Sequence, residues 1–247
     1  LPRAGLQEVA RVAADRLSMR YGFEVVGIEP AQGDGFRVHC HRENLADETF
    51  EADAVVFSGS GISVCDIASP CLELPEKDFF GQVRYDAGNM LAIALSRPPV
   101  GVPEHVRIAP VQSSPIESVL LEPGAPGERV PAGAGLALVT ARSEFSSERR
   151  DCADDVLENE LLAAYELLGS RRTPEIRFVR LRRSEAARPR FDVGAYRRLA
   201  RFQNVQNDLR SGGRHLYFAG DYLVGPRPEH AVASGMRAAR SLLADWE

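Results

Sequence analysis

Lysine is almost absent from this 247-residue chain. Lys77 is the only one, and every other strongly basic residue is arginine. Chemistry that needs a lysine amine must therefore run through one residue, whose surroundings, LPEKDFF, read as a surface turn. Cysteine is scarce too: Cys40, Cys65, Cys71 and Cys152 include no CxxC pair. That argues against a disulfide scaffold and fits a reducing compartment, so a cytoplasmic location is expected. No apolar run approaches the roughly 20 residues that a membrane span needs. The opening LPRAGLQEVARVAADRL is neither a signal nor a transit peptide. Because it does not start with Met, a processed product or an excised piece is expected. The formal charge of -5 argues against nucleic acid as the main partner.

What is present has the composition of a globular protein, with 44% hydrophobic and 26% charged residues, enough for one large or two small domains. Apolar residues at helical spacing predict a helix over 3–20, stopped at Gly22. Extended runs follow at Phe23–Ile28 and Phe36–His41, joined by the turn sequence AQGDG. His39-Cys40-His41 could suggest a metal. In a strand, however, Phe36, Val38 and Cys40 share one face and both histidines the other, so a plain strand is the better reading. DAVVFS at 53–58 is apolar on both faces, as a buried parallel strand is, and ends in GSG. Proline-punctuated extended segments at 62–150 predict an antiparallel or mixed sheet. A helix is expected over Asp151–Leu168, with Val156, Leu157, Leu161, Ala164 and Leu168 on its apolar stripe and Gly169 as cap. A polar helix is expected over Val193–Leu209. The strands near 25, 55 and 217 are expected to share one sheet.

The C-terminal stretch HLYFAGDYLVGPRPEHAVASGMRAARSLLADWE carries the most information. A strand at His215–Ala219 ends at Gly220, which lets another molecule approach the backbone closely. Asp221 then points into the crevice at the carboxyl end of the sheet, where α/β folds bind ligands. An ionised carboxylate only accepts hydrogen bonds, so it suits sugar or ribityl hydroxyls and repels phosphate. A helix starting near Glu229 or His230 offers unpaired N–H groups and partial positive charge to an electron-rich group. Gly235 in its interior costs about 1 kcal/mol relative to alanine, a cost that a tight approach to the sheet or cofactor would offset. Without such a ligand the same stretch is an ordinary βα unit.

LYFAGDYLVGPRPEHAVASGMRAA resembles the C-terminal flavin-binding motif of the superfamily of flavin amine oxidases, protoporphyrinogen oxidases and carotenoid-type desaturases. There an apolar strand, Gly-Asp or Gly-Glu, a short loop and a small-residue helix follow in order. Here they read Gly220-Asp221, His230-Ala231, Ser234-Gly235 and Ala238-Ala239. PRAGLQEVARVAADRL, GFEVVGIEP, EADAVVFSGSG and ARPRFDVGAYRRL resemble further family segments. The resemblance implies FAD as cofactor, with Asp221 on its ribityl chain and Val25 on its adenine. Ala231 or a neighbour, Glu229 or His230, would face the pyrimidine edge of the ring.

The resemblance also shows a gap. The family begins with a strand–GxGxxG–helix unit for the pyrophosphate, and neither GDG at 33–35 nor GSG at 59–61 has that spacing. The implied fold is α/β: a partial, Rossmann-like FAD-binding sheet completed by another chain, plus a β-rich α+β substrate domain. The expected division gives 1–61 and 200–247 to the first and 62–199 to the second. A second polypeptide bearing GxGxxG is the expected partner. The implied activity is hydride removal from a C–H or C–N bond by FAD, from a small-molecule substrate. VRYDAGNMLAIAL lacks the lysine common near the flavin in amine oxidases and resembles more the corresponding strand of protoporphyrinogen oxidases and desaturases. No catalytic residue is named. Arg84, Tyr85 and Tyr222 are candidates, although a tyrosine in a strand is more often packing. The arginines of Arg171–Arg190 read as a solvated face or as a lure for a carboxylated substrate. The rival reading is a non-catalytic structural partner subunit that keeps the flavoprotein fold. A nicotinamide-dependent reductase lacks support, since no second dinucleotide fingerprint occurs.

Overall fold

A computed structural model describes residues 7–112, 114–125, 128–168 and 174–246. Pro2–Leu6 of the N-terminal resemblance, the Gly169 cap, Arg171 and Arg172 lie outside the described residues. The chain forms two compact units, Leu1–Met19 with Asp86–Ala187, and Arg20–Tyr85 with Arg188–Glu247. Among the described residues no helix is long and apolar enough to cross a membrane.

In the second unit, β1 (Glu24–Pro30), β2 (Phe36–His41) and β3 (Glu48–Ala52) form an antiparallel sheet in that order. The hairpin turn closes where Ala31 N–H donates to Gly35 O at 2.9 Å, and Gly33 takes φ 104°, a left-handed conformation that glycine adopts without penalty. On β2, Phe36 and Cys40 are buried as the alternation requires. The opposite-face histidines bond across the sheet and turn, His39 to Thr49 and His41 to Asp47.

A separate parallel pair joins β4 (Val55–Phe57) to β10 (Leu216–Phe218). The expectation that strands near 25, 55 and 217 share one sheet therefore holds only for the last two. The short hairpin turn commits one edge of β1 to β2, antiparallel and local in sequence. All three side chains of β10 are buried, which is the pattern of a strand covered on both faces. Leu216 and Phe218 join a core with Phe57, Phe79, Phe80 and Phe202, while Tyr217 and Ala219 pack with Ala238. The rings of Phe79 and Phe202 stack at 4.1 Å, and Phe80 lies 4.9 Å from Phe218.

Between β4 and residue 81 the chain is helical, with α2 (Val64–Ala68) and α3 (Leu74–Phe80). Lys77 thus sits within a helix and not in a turn. Near the C-terminus, α6 (Ala195–Ser211) contributes Leu199 and Phe202 to the core, and α7 (Pro228–Ala244) covers β10 through Ser234 and Ala238.

In the first unit, a five-stranded sheet runs β6 (His105–Arg107), β7 (Ile116–Pro123), β8 (Gly135–Ala141), β5 (Tyr85–Leu95), β9 (Ile176–Pro189). Its pairs β6–β7, β7–β8 and β8–β5 are antiparallel, as the extended segments predict. Leu91, Ile93, Leu95, Val139 and their neighbours meet Leu157, Leu161 and Tyr165 of α5 (Asp154–Leu168). The packed stripe of α5 is centred on Leu157 and Leu161, whereas Val156 and Leu168 are 45% and 42% exposed. Of the expected N-terminal helix, α1 (Gln7–Ala14) buries no residue. Arg183 departs from the reading of the arginine run as a solvated face. It donates to the carbonyls of Arg149, Arg150 and Cys152 and to Asp154, closing the turn between α4 (Ser143–Glu148) and α5.

Candidate cofactor-binding site

The carboxyl end of β10 carries the Gly220-Asp221 bend. Ala219 N–H donates to Phe57 O at 2.9 Å, carrying the parallel pairing one residue past the strand. Gly220 follows in extended conformation, at φ 168°. No strain requires glycine there; space does. A Cβ on Gly220 would lie 2.3 Å from the Tyr222 ring, and one on Gly61 would lie 2.9 Å from the same ring. Tyr222 therefore fills the gap between two glycines, one after β4 and one after β10. Its buried hydroxyl has no hydrogen-bond partner among the described residues, and burial drives its phenol strongly upward in pKa. Tyr222 lies in a 3-10 turn and not in a strand, and its ring packs against both glycine bends.

Gly220 N–H donates to Ser234 Oγ at 3.1 Å, so a buried hydroxyl of α7 fixes the bend. Asp221 opens a 3-10 turn, and its carbonyl accepts from Val224 N–H at 3.0 Å and Gly225 N–H at 2.7 Å. Its carboxylate accepts one hydrogen bond, from the Tyr85 hydroxyl to Oδ1 at 3.2 Å. The same hydroxyl oxygen accepts from Gly61 N–H at 3.3 Å. Among the described residues no donor reaches Asp221 Oδ2. The Tyr85 phenol is pushed up to about 12, first by burial and then by the nearby Asp221 charge, so it remains a neutral donor at physiological pH. Arg84, next in sequence, is spent on the carbonyls of Gly81 and Val83.

The start of α7 offers less than its sequence suggests. Arg227 caps it with no side-chain hydrogen bond, and Pro228 has no N–H to give. His230 and Ala231 N–H both turn back to Arg227 O, at 3.0 and 3.3 Å. Glu229 is left as the N–H without an acceptor in the described residues, and residue 231 offers the helix dipole in place of a free donor. The His230 ring packs on Gly225, where a Cβ would lie 2.4 Å from Nδ1. Val25 lies on β1, 37% exposed, beside a bulge. The structure thus brings Gly220 and Asp221 together with Gly61, Tyr85 and Ser234. No described hydrogen bond ties Val25, Glu229, His230 or Ala231 to the Asp221 carboxylate. Ser234 and Gly61 stood in quoted motifs without a role; only three-dimensional contact gives them one.

A parallel strand pair ending in a Gly-Asp bend under a helix, together with a larger antiparallel sheet, defines an α/β protein with part of a dinucleotide-binding sheet and a β-rich second region. The chain belongs to the family described as flavin containing amine oxidoreductase, whose pattern it matches over residues 1–243. Solved structures share the fold. Putrescine oxidase bound to putrescine is 15% identical, with a TM-score of 0.75, 97% of this chain covered and 53% of that one. A candidate protoporphyrinogen oxidase from Exiguobacterium sp. 255-15 is 17% identical, with a TM-score of 0.73 and coverages of 97% and 51%. Cyclohexylamine oxidase from Brevibacterium oxydans is 12% identical, with a TM-score of 0.64 and coverages of 90% and 48%. The chain therefore spans about half the length of the structures it matches. No curated protein sequence matches it significantly.

Proposed function

We propose that this chain forms the flavin-ring side of an FAD-dependent oxidoreductase and works with a second polypeptide that carries a GxGxxG pyrophosphate site. The observation that carries the reading is the Asp221 carboxylate, held at the carboxyl end of a parallel strand with one oxygen engaged and the other without a donor among the described residues. Hydroxyl donors of a ribityl chain complement such an oxygen; a phosphate does not. The residues also suit the ring of FAD: the α7 dipole favours negative charge on the pyrimidine edge, and Glu229 N–H, with no acceptor among the described residues, can donate there. When bound, FAD supplies the hydride acceptor for a C–H or C–N bond of a small-molecule substrate. The chain supplies position and electrostatics.

Two features support the completing polypeptide. No GxGxxG occurs in the 247 residues. The β4–β10 sheet has only two strands among the described residues, so each strand has an edge with no strand partner among them. Such an edge favours pairing with another strand. Family membership supports the cofactor.

The test is to purify the chain with whatever co-purifies, record its absorbance and identify the small molecule by mass spectrometry. FAD in the complex, and at least tenfold weaker FAD binding in Asp221→Ala, are expected. A colourless complex would favour the non-catalytic partner subunit. A monodisperse 247-residue monomer with full FAD occupancy would remove the need for a second polypeptide.

A further inference from the structure

We propose that Tyr85 is a positioning residue that sets the Asp221 carboxylate for the cofactor's sugar hydroxyls. The inference rests on the reading of Asp221 as a flavin ligand. The backbone at residue 221 is fixed by the Ser234 bond to Gly220 and by the two turn bonds to its carbonyl. None of these acts on the side chain. A carboxylate on this half-buried bend still has more than one staggered arrangement open to it, and the Tyr85 bond to Oδ1 is the one described contact that selects among them.

Tyr85 is itself held. Gly61 N–H donates to its oxygen, which leaves the phenol proton to point at Asp221. The rigid ring is partly buried and allows little movement. A three-member relay results, from the loop after β4, through the first residue of β5, to the bend after β10. With Oδ1 held, Oδ2 is fixed in one orientation, and no donor among the described residues reaches it. Orientation of this kind affects ligand affinity more than fold stability, because the ordering of the side chain is completed before the ligand arrives. A purely structural Tyr85 would instead serve to pin the Gly59–Gly61 loop. The two roles predict different measurements.

The experiment uses the flavoprotein complex with Tyr85→Phe, Asp221→Ala and the double variant, with FAD and, separately, ADP as probes. Phenylalanine keeps the ring and removes only the hydroxyl. FAD affinity, read by quenching of flavin fluorescence, is expected to fall about tenfold in Tyr85→Phe and not to fall further when Tyr85→Phe is added to Asp221→Ala. ADP lacks the ribityl chain, so its affinity is expected to stay within twofold of the unaltered protein. An unchanged FAD affinity in Tyr85→Phe, a loss that persists in the Asp221→Ala background, or an equal loss for ADP would overturn the proposal. Full FAD affinity in Asp221→Ala would instead remove the cofactor reading on which it stands.

Discussion

Glu76 offers a quantitative test of how the site's scaffold is held. It is fully buried, at 0% exposure, on the first turn of α3. Arg214, just before β10, grips it with two charged hydrogen bonds of 2.6 Å, one to each carboxylate oxygen. Glu73 N–H donates to Oε2 at 2.8 Å, and Gln206 of α6 donates to Oε1. One carboxylate thus ties α3 and α6 to the approach of the strand that ends at Asp221. Breaking a buried pair by removing one partner typically costs about 3–5 kcal/mol, since the remaining charge is stranded. Here the lower end applies. The Arg214 side chain is 18% exposed, keeps its bond to Cys71 O at 2.9 Å, and can recover some hydration. Glu76→Ala is therefore expected to cost about 3 kcal/mol, or roughly 6–12 °C in Tm for a chain of this length. Urea unfolding followed by circular dichroism measures it. Glu76→Leu combined with Arg214→Met removes both charges together, and is expected to recover most of that loss. A cost below about 1 kcal/mol for Glu76→Ala, or a double variant as unstable as the single, would refute the reasoning.

Gly220→Ala places a methyl carbon 2.3 Å from the buried Tyr222 ring and is expected to cost about 1–3 kcal/mol in urea unfolding. Gly235→Ala meets nothing within 4 Å in this chain, so it is expected to stabilise the isolated chain by up to about 1 kcal/mol; weaker FAD or partner binding in the same variant would show that the close approach at Gly235 comes from outside the chain. At alkaline pH, Tyr85 and Tyr217 both have phenols pushed up to about 12 from 10.0, chiefly by burial, so the folded state favours their neutral forms. Their contribution to stability is complete below pH 10 and disappears as pH rises to about 12; urea midpoints measured across that window should fall, and Tyr85→Phe should reduce the slope.

Contact range explains which parts of this site the sequence discloses. The strand, the Gly-Asp bend and the following helix are contiguous, and their residue types speak directly: an apolar run, a glycine that leaves room at the bend, a run of small residues where a helix covers a strand. The room at Gly220 is taken by the chain's own Tyr222 ring, where the sequence suggests another molecule. Tyr85 and Asp221 stand 136 positions apart, and no periodicity links them. The misread segment between residues 62 and 81 has a different cause. Pro70 and Pro75 look like turn punctuation, yet each occupies the first turn of a short helical element, where proline loses no hydrogen bond. For β1, an apolar run identifies a strand but not its neighbour, so the hairpin turn was the better guide to its sheet. Arg183 carries the same lesson for charge. In a run of arginines it resembles the exposed Arg180 and Arg182, but it lies at the foot of the α4–α5 turn, where three backbone carbonyls and Asp154 converge. A planar, always charged fork can satisfy all four. Composition therefore overstates the cationic surface available to a carboxylated substrate, since this arginine is already occupied.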